Sequence, residues 1–370
     1  MKKILILGGT GAMGVPLVEQ LSNIGYEVVV TSRRKRNSDK SNVRYVIGNA
    51  HDDFFLNPLL EVDDWDAIVD FMVYTTQEFK GRVDMLLDNT KQYIFVSSAR
   101  VYAKSDAKIN ENTPRLLDVI EDEDYLNTDE YSLTKARQED ILKNSEKKNW
   151  TIIRPSITYN NNRLQLGVLE KEHWLYRALH GRSIVFSRDI GCKLTAMTTG
   201  DDVIKGIISI IGKQDAQGEA FHITEENSYK WNEILNIYLD ILEKILEKRP
   251  NVIVTEKTTC FEADWNIYQI IYCRYYNRSF DNSKIGKYID TKEFVDAKTG
   301  LQVCLESFLK NPQFGNINWK LEAINDRVSG EWTSLSEIPT RKMKMIYLMY
   351  RLRMEVFLKM YQKIKLFLIK

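Results

Sequence analysis

A chain of 370 residues can bury more than one hydrophobic core and points to two lobes. Its 52 basic and 51 acidic residues leave a net charge of +1, which gives no general argument for a nucleic-acid partner, and none is expected. Four cysteines (Cys192, Cys260, Cys273, Cys304) with no C-x-x-C spacing and four scattered histidines suggest neither a disulfide framework nor a metal cluster. No uncharged apolar stretch reaches the roughly 18 residues of a spanning helix, and the N-terminus runs straight into an apolar strand, leaving no room for a cleavable signal. The expectation is a cytoplasmic protein.

Lys3 to Leu7 is a nearly continuous apolar run, the pattern of a strand covered on both faces. It enters Gly8-Gly9-Thr10-Gly11-Ala12-Met13-Gly14 and then an apolar-spaced helical segment from Val15 to Ile24. Glycine lets backbone approach a pyrophosphate, and the free N–H groups and positive dipole end of the helix stabilise the anion. With a second strand (Glu27 to Thr31) at βαβ distance, Gly8, Thr10, Gly11, Ala12, Met13 and Gly14 are expected to form a dinucleotide site. That second strand ends in Thr31-Ser32-Arg33-Arg34, with no acid available for an adenosine 2′-hydroxyl. Ser32, Arg33 and Arg34 therefore favour NADP over NAD, since arginine pairs with a 2′-phosphate.

Val43 to Ile47 reads as a third strand, followed by Asn49 and Ala50 where an adenine contact belongs. Asp66 to Met72 is a fourth strand, Gln77 to Asn89 a helix and Gln92 to Ser97 a fifth strand. Alternating strands and helices predict a Rossmann-type doubly wound parallel sheet of the α/β class, with ligands at the carboxyl ends of the strands. Ser98 stands at such an end. A helix over Thr128 to Lys147 carries Tyr131 and Lys135 four residues apart, hence on one face. A phenol is a poor base at neutral pH, and a neighbouring ammonium favours its ionised form.

These pieces together resemble the extended short-chain dehydrogenase/reductase family of sugar-nucleotide epimerases, dehydratases and reductases. The resemblance is carried by Gly8, Gly11 and Gly14, by Ser98-Ala99-Arg100-Val101-Tyr102, by Tyr131 to Lys135, by Asn110 to Pro114, and by Thr151-Ile152-Ile153-Arg154-Pro155 followed by Tyr159. It covers residues 1 to about 225 well and reaches more loosely to about 310. It implies that Tyr131 moves the hydroxyl proton, Lys135 tunes the phenol and binds the nicotinamide ribose, and Ser98 holds the reacting oxygen. It also implies cofactor contacts from Phe71, Met72 and Pro155, substrate contacts from Arg100 and Tyr159, and a homodimer. Family dehydratases place Asp-Glu directly after the Ser/Thr; Ala99 and Arg100 stand there instead, which argues against 4,6-dehydration. Asn49 replaces an aspartate, and Phe71-Met72-Val73-Tyr74 replaces His-Leu-Ala-Ala.

In the second half, Leu164 to His180 reads as a helix, with Asp201 or Asp202 as N-cap of an apolar helix over Thr199 to Ile211. Gly218 to Thr224 is a strand in which His222 is a core residue, and Trp231 to Lys248 and Phe294 to Leu309 are helices. Cys273 to Lys284 resembles the family segment whose arginine grips the diphosphate, nominating Arg278; Lys193 lies near another phosphate position. The division expected is a dinucleotide-binding domain over 1–160 with later segments returning to it, a substrate lobe over 161–325 and a basic helical tail over 326–370. From Thr340 to Lys370, nine Lys/Arg and one acid alternate with Met, Leu, Ile, Phe and Tyr. Such a helix either packs on its own lobe or a partner subunit, or lies peripherally on an anionic membrane. The function expected is NAD(P)-dependent epimerisation of a nucleotide-linked sugar through a keto intermediate. The alternatives are an NADPH-dependent keto-sugar reductase and a non-catalytic nucleotide- or RNA-binding protein on the same fold.

Overall fold

The computed structural model describes residues 1–11, 13–263 and 266–354. The chain divides into two compact units, the first made of residues 1–160, 194–228 and 276–300 and the second of 161–193, 229–275 and 301–370.

The first unit is built on β1 (Lys3–Leu7), α1 (Gly14–Asn23), β2 (Glu27–Ser32), β3 (Val43–Ile47), α2 (Asp53–Glu61), β4 (Ala67–Asp70), α3 (Thr76–Asp88), β5 (Tyr93–Val96), α4 (Tyr131–Asn144), β6 (Trp150–Pro155), α5 (Gly200–Ile210) and β7 (Glu219–Ile223). The seven strands form one sheet in the order β7-β6-β5-β4-β1-β2-β3, with every neighbouring pair parallel. Side chains alternate along a strand, so the apolar run of β1 serves two cores. Ile4 and Ile6 face Leu17, Leu21, Ile204 and Ile207 of α1 and α5. Leu5 and Leu7 face Leu56, Phe79, Leu86 and Leu142 of α2, α3 and α4. The strand order reverses between β1 and β4, and this reversal opens a crevice at the carboxyl edge.

The sequence reading contained no helix over Asp53–Glu61; it exists because Asp52 caps it through the Phe54 N–H, although Pro58 lies inside. The N-cap of α5 is Thr199, whose hydroxyl accepts from the Asp202 N–H, rather than Asp201 or Asp202. Asp202 is buried instead, bonding Lys205 and the Val295 N–H. His222 is a core residue as expected, fully buried between the Tyr102 hydroxyl and the Asp281 carbonyl.

In the second unit the expected Leu164–His180 helix is shorter, running over Lys171–Leu179. Gly167 takes φ +62°, and Leu166 and Leu169 exchange backbone hydrogen bonds, which closes a turn where the helix was expected. Ile184–Ser187 pairs in parallel with Val252–Thr255, and Trp174 stacks on Tyr238 of the Trp231–Leu246 helix at 4.4 Å. Arg177 is fully buried and binds Glu322 and Asp326 at 2.8 Å and Glu331 at 3.0 Å. Within its described part the basic stretch is helical over Arg341–Arg351, and Arg353 takes φ +56°. Tyr347 is buried and donates to Asp326, so this helix packs on its own unit through that face. Residues 355–370 of the expected tail lie outside the described residues. Among the described residues no helix is long and apolar enough to cross a membrane.

Candidate active site

The turn after β1 is shaped for an anion. Gly8 takes φ +70°, and its N–H donates to Thr31 Oγ1 at 3.1 Å. A Cβ on Gly9 would stand 2.6 Å from Ile6 Cγ2, and one on Gly14 would stand 2.4 Å from the Gly9 carbonyl carbon. Neither position accepts a side chain, which brings α1 directly against the turn. A Cβ on Gly11 would meet nothing within 4 Å, so this glycine borders open space. Met13 begins the helix without a side-chain cap, and no acid occupies the first turn, so its N–H groups keep their pull on an anion.

A cleft of about 320 Å³ opens here, lined by Gly8, Thr10, Gly11, Ser32, Arg33, Asn49, Ala50, His51, Phe71 and Met72 among others. Nine of the residues named from sequence thus line one cavity. Arg34 is exposed, with its carbonyl accepting from Ser32 Oγ at 2.8 Å. Pro155 ends β6 opposite Ile223. Ala12 lies outside the described residues. The glycine cradle, an uncapped helix start and an arginine at the tip of β2 fit a dinucleotide.

The proton-transfer candidates gather around the segment after β5. Tyr131 is the first residue of α4 and is 38 % exposed, whereas Lys135 one turn on is 3 % exposed. Lys135 Nζ donates to the Val96 carbonyl at 2.9 Å and sits 4.5 Å from the Phe95 ring centroid. The Arg100 guanidinium lies 5.2 Å from the Tyr131 ring centroid and is paired with Glu130, the N-cap of α4. Lys135 therefore grips the chain two residues before Ser98, and Tyr131 meets it two residues after. Ser98 is nearly buried and accepts from the Arg100 N–H, capping the short turn Ala99–Val101. Burial pushes the Lys135 ammonium down to about 8, against the opposing charges of Asp70 and Glu139.

Three groups here escaped the sequence reading. Glu139, two turns beyond Tyr131, is fully buried, accepting from Ser97 Oγ at 2.7 Å and pairing with Arg154 at 2.6 Å. Asp70 ends β4, also buried. Arg82 on α3 donates to the Ala50 and His51 carbonyls and so braces the adenine-side loop. A charged residue within an apolar strand or on the buried face of a helix was the available signal.

The substrate candidates are placed differently. Tyr159 is 1 % exposed and packs so closely on Gly300 that a Cβ there would stand 2.0 Å from its hydroxyl oxygen. Arg278 is buried and donates to the Tyr102 and Ala103 carbonyls, at 3.0 and 3.1 Å, holding the continuation of the Ser98 segment. Lys193 belongs to the second unit, where its N–H bonds the Ile190 carbonyl.

Comparison with known proteins agrees with this fold. Residues 8–184 match the NAD(P)H-binding family. A curated relative, chloroplast stem-loop binding protein of 41 kDa b from Arabidopsis thaliana, is 27 % identical over 239 residues. That alignment spans 61 % of this chain and 59 % of the relative, less than two thirds of its length. Among solved structures, WbmH of Bordetella bronchiseptica with NAD+ superposes with a TM-score of 0.65 at 16 % identity, covering 85 % of this chain and all (100 %) of the other. UDP-glucuronic acid 4-epimerase from Bacillus cereus with UDP-glucuronic acid and NAD gives 0.61 at 18 %, covering 83 % and 99 %. The dTDP-glucose 4,6-dehydratase of Bacillus anthracis with NAD gives 0.62 at 17 %, covering 84 % and 97 %. Residues 8–184 are thus similar to the NAD(P)H-binding family, and the chain carries the Rossmann-type fold of these solved structures.

Proposed function

We propose that the protein is an NAD(P)-dependent epimerase of a nucleotide-activated sugar, working through a keto intermediate. One observation carries this: α4 meets the end of β5 at Val96 through Lys135 and the turn after it at Arg100 through Tyr131, with Ser98 between them. The turn Gly8 to Gly14 would hold the diphosphate, Arg33 the 2′-phosphate, and Asn49, Ala50 and His51 the adenine side of the cofactor. A bound nicotinamide supplies acceptance and return of a hydride at the sugar carbon. Tyr131 takes the proton of the sugar hydroxyl and gives it back, Ser98 holds that oxygen, and the Lys135 charge favours the phenolate. Dehydration is disfavoured because Ala99 and Arg100 offer no carboxylate next to Ser98, and Arg100 is already committed to Glu130.

Two other readings have specific support. Arg33 in the cleft favours NADPH and hence a keto-sugar reductase. The name of the Arabidopsis relative records stem-loop binding, which supports a nucleic-acid-binding role. Mass spectrometry of small molecules released from the denatured protein, then product analysis with UDP-glucuronic acid and dTDP-glucose, separates the three. Bound NAD(P) with epimerised product and no net oxidation supports the epimerase; stoichiometric NADPH loss supports the reductase. Tyr131→Phe is expected to abolish turnover and keep the cofactor. A protein that carries no nicotinamide and gains no thermal stability from NADP or NAD overturns both enzyme readings.

A further inference from the structure

β4 reads Ala-Ile-Val-Asp, three apolar residues and one acid, and Asp70 is only 1 % exposed. An isolated carboxylate is costly in such a place, and this one is supplied with three donors. The Tyr93 hydroxyl donates to Oδ2 at 2.7 Å, the Tyr74 hydroxyl to the same oxygen at 3.0 Å, and the Met72 N–H to Oδ1 at 2.8 Å. Burial pushes both phenols well above their ordinary range, so they stay protonated and remain donors. Burial raises the Asp70 carboxyl above its ordinary value, while the three donors and the Lys135 charge work against that and favour the ionised form.

The charge that faces Asp70 is on the neighbouring strand. In the parallel β4–β5 pair Asp70 is the register partner of Phe95, and register partners project to the same face of a sheet. The Lys135 ammonium lies over that Phe95 ring. Carboxylate and ammonium therefore share one face across a strand spacing of about 4.8 Å. Among the described residues, the other charged or titratable groups packed around them are Arg82 of α3, 4.9 Å from the Tyr74 ring centroid, His51, 5.3 Å from the same centroid, and Glu139 of α4. Arg82 serves the Ala50–Asp53 loop, and Glu139 is taken up by Arg154 and Ser97.

We propose that Asp70, fixed by Tyr74 and Tyr93, is a positioning residue for the reaction proposed above: its carboxylate is the buried counter-charge that keeps Lys135 protonated beside Tyr131. The proposal rests on the epimerase reading for its role, but the charge coupling is measurable without cofactor or substrate. In protein labelled with 13C at lysine Cε, the Lys135 resonance, assigned by its loss in Lys135→Met, is followed against pH by NMR. The wild-type midpoint is expected at about 8. In Asp70→Asn it is expected to fall by about one pH unit or more, the effect of losing a nearby opposite charge. Tyr93→Phe, which keeps the ring and removes one donor, is expected to move it the same way by a smaller step, and it decides the matter if Asp70→Asn does not fold. An unchanged midpoint in a folded variant overturns the counter-charge. Nicotinamide binding with an unshifted Lys135 defeats this proposal alone. A shifted Lys135 in a protein that binds no nicotinamide defeats the enzyme reading alone.

Discussion

Replacing Glu139 with Gln tests whether the catalytic helix is held by buried charge. Glu139 is fully buried and accepts from Arg154 Nε at 2.8 Å, Arg154 Nη2 at 2.6 Å and Ser97 Oγ at 2.7 Å. Arg154 is 2 % exposed. Burial pushes the Glu139 carboxyl up, but the Arg154 charge and the bonds from Arg154 and Ser97 outweigh it and hold the group below its ordinary value. Gln keeps the shape and removes the charge, which strands a buried guanidinium. Breaking such a pair from one side costs about 3–5 kcal/mol. At roughly 2–4 °C per kcal/mol for a unit of this size, the melting temperature at neutral pH falls by about 6–20 °C. A carboxylate with a depressed folded pKa contributes stability above its unfolded value of about 4.3 and loses it as pH falls through the folded one. The gap between Glu139→Gln and wild type is therefore full at neutral pH and closes in acid. Thermal melts followed by circular dichroism across that range measure it. A neutral-pH melt within about 2 °C of wild type, or a gap that widens in acid, refutes the reasoning.

Further outcomes follow from the glycine turn and the second unit. Gly11→Ala is expected to fold normally, because its Cβ meets nothing within 4 Å, yet to weaken dinucleotide binding measured by calorimetry, because the methyl enters the open space where the diphosphate is proposed to sit. Gly14→Ala, with its Cβ 2.4 Å from the Gly9 carbonyl carbon, should lower the melting temperature as well as the affinity. Arg33→Ser is expected to reduce the preference for NADP over NAD by about tenfold or more in the same titrations, a lost charged contact of roughly 1.5–3 kcal/mol. Tyr347→Phe removes the hydroxyl that donates to Asp326 at 2.7 Å and accepts from the Thr333 N–H at 2.9 Å; denaturant titration should register a loss of about 1–3 kcal/mol.

Much of this protein is legible in its sequence where the signal is local. Lys3–Leu7, the glycine turn and the Tyr131/Lys135 spacing each lie within a few residues, and periodicity is enough to read them. The α2 helix was hidden because Asp52 reads equally well as part of an adenine loop and Pro58 reads as a breaker. Residues 164–170 have helical spacing, but a positive φ at Gly167 ends the pattern, and only the chain's path reveals it. Asp70 was illegible for a deeper reason. Its justification is the Tyr93 hydroxyl, 23 residues away, and a lysine on a helix still further along. A lone acid in an apolar strand signals that partners exist without saying where. Tyr159 and Arg278 show what motif position leaves unsaid: the sequence places them beside the substrate segments, while only the fold shows the first packed in the interior and the second donating to two backbone carbonyls.

The sheet's last strand reaches its place from far along the chain: β7 begins at Glu219 and pairs with β6, which ends at Pro155. A ribosome making this protein must release more than sixty residues after β6 before that pairing can occur. At roughly 5–20 residues per second, the outer border of β6 stays open for several seconds. During that interval a row of unpaired N–H and carbonyl groups, flanked by Ile152 and Ile153, is available to any other nascent copy. The open border of β6 is thus the place where slow synthesis leaves this chain most exposed to aggregation.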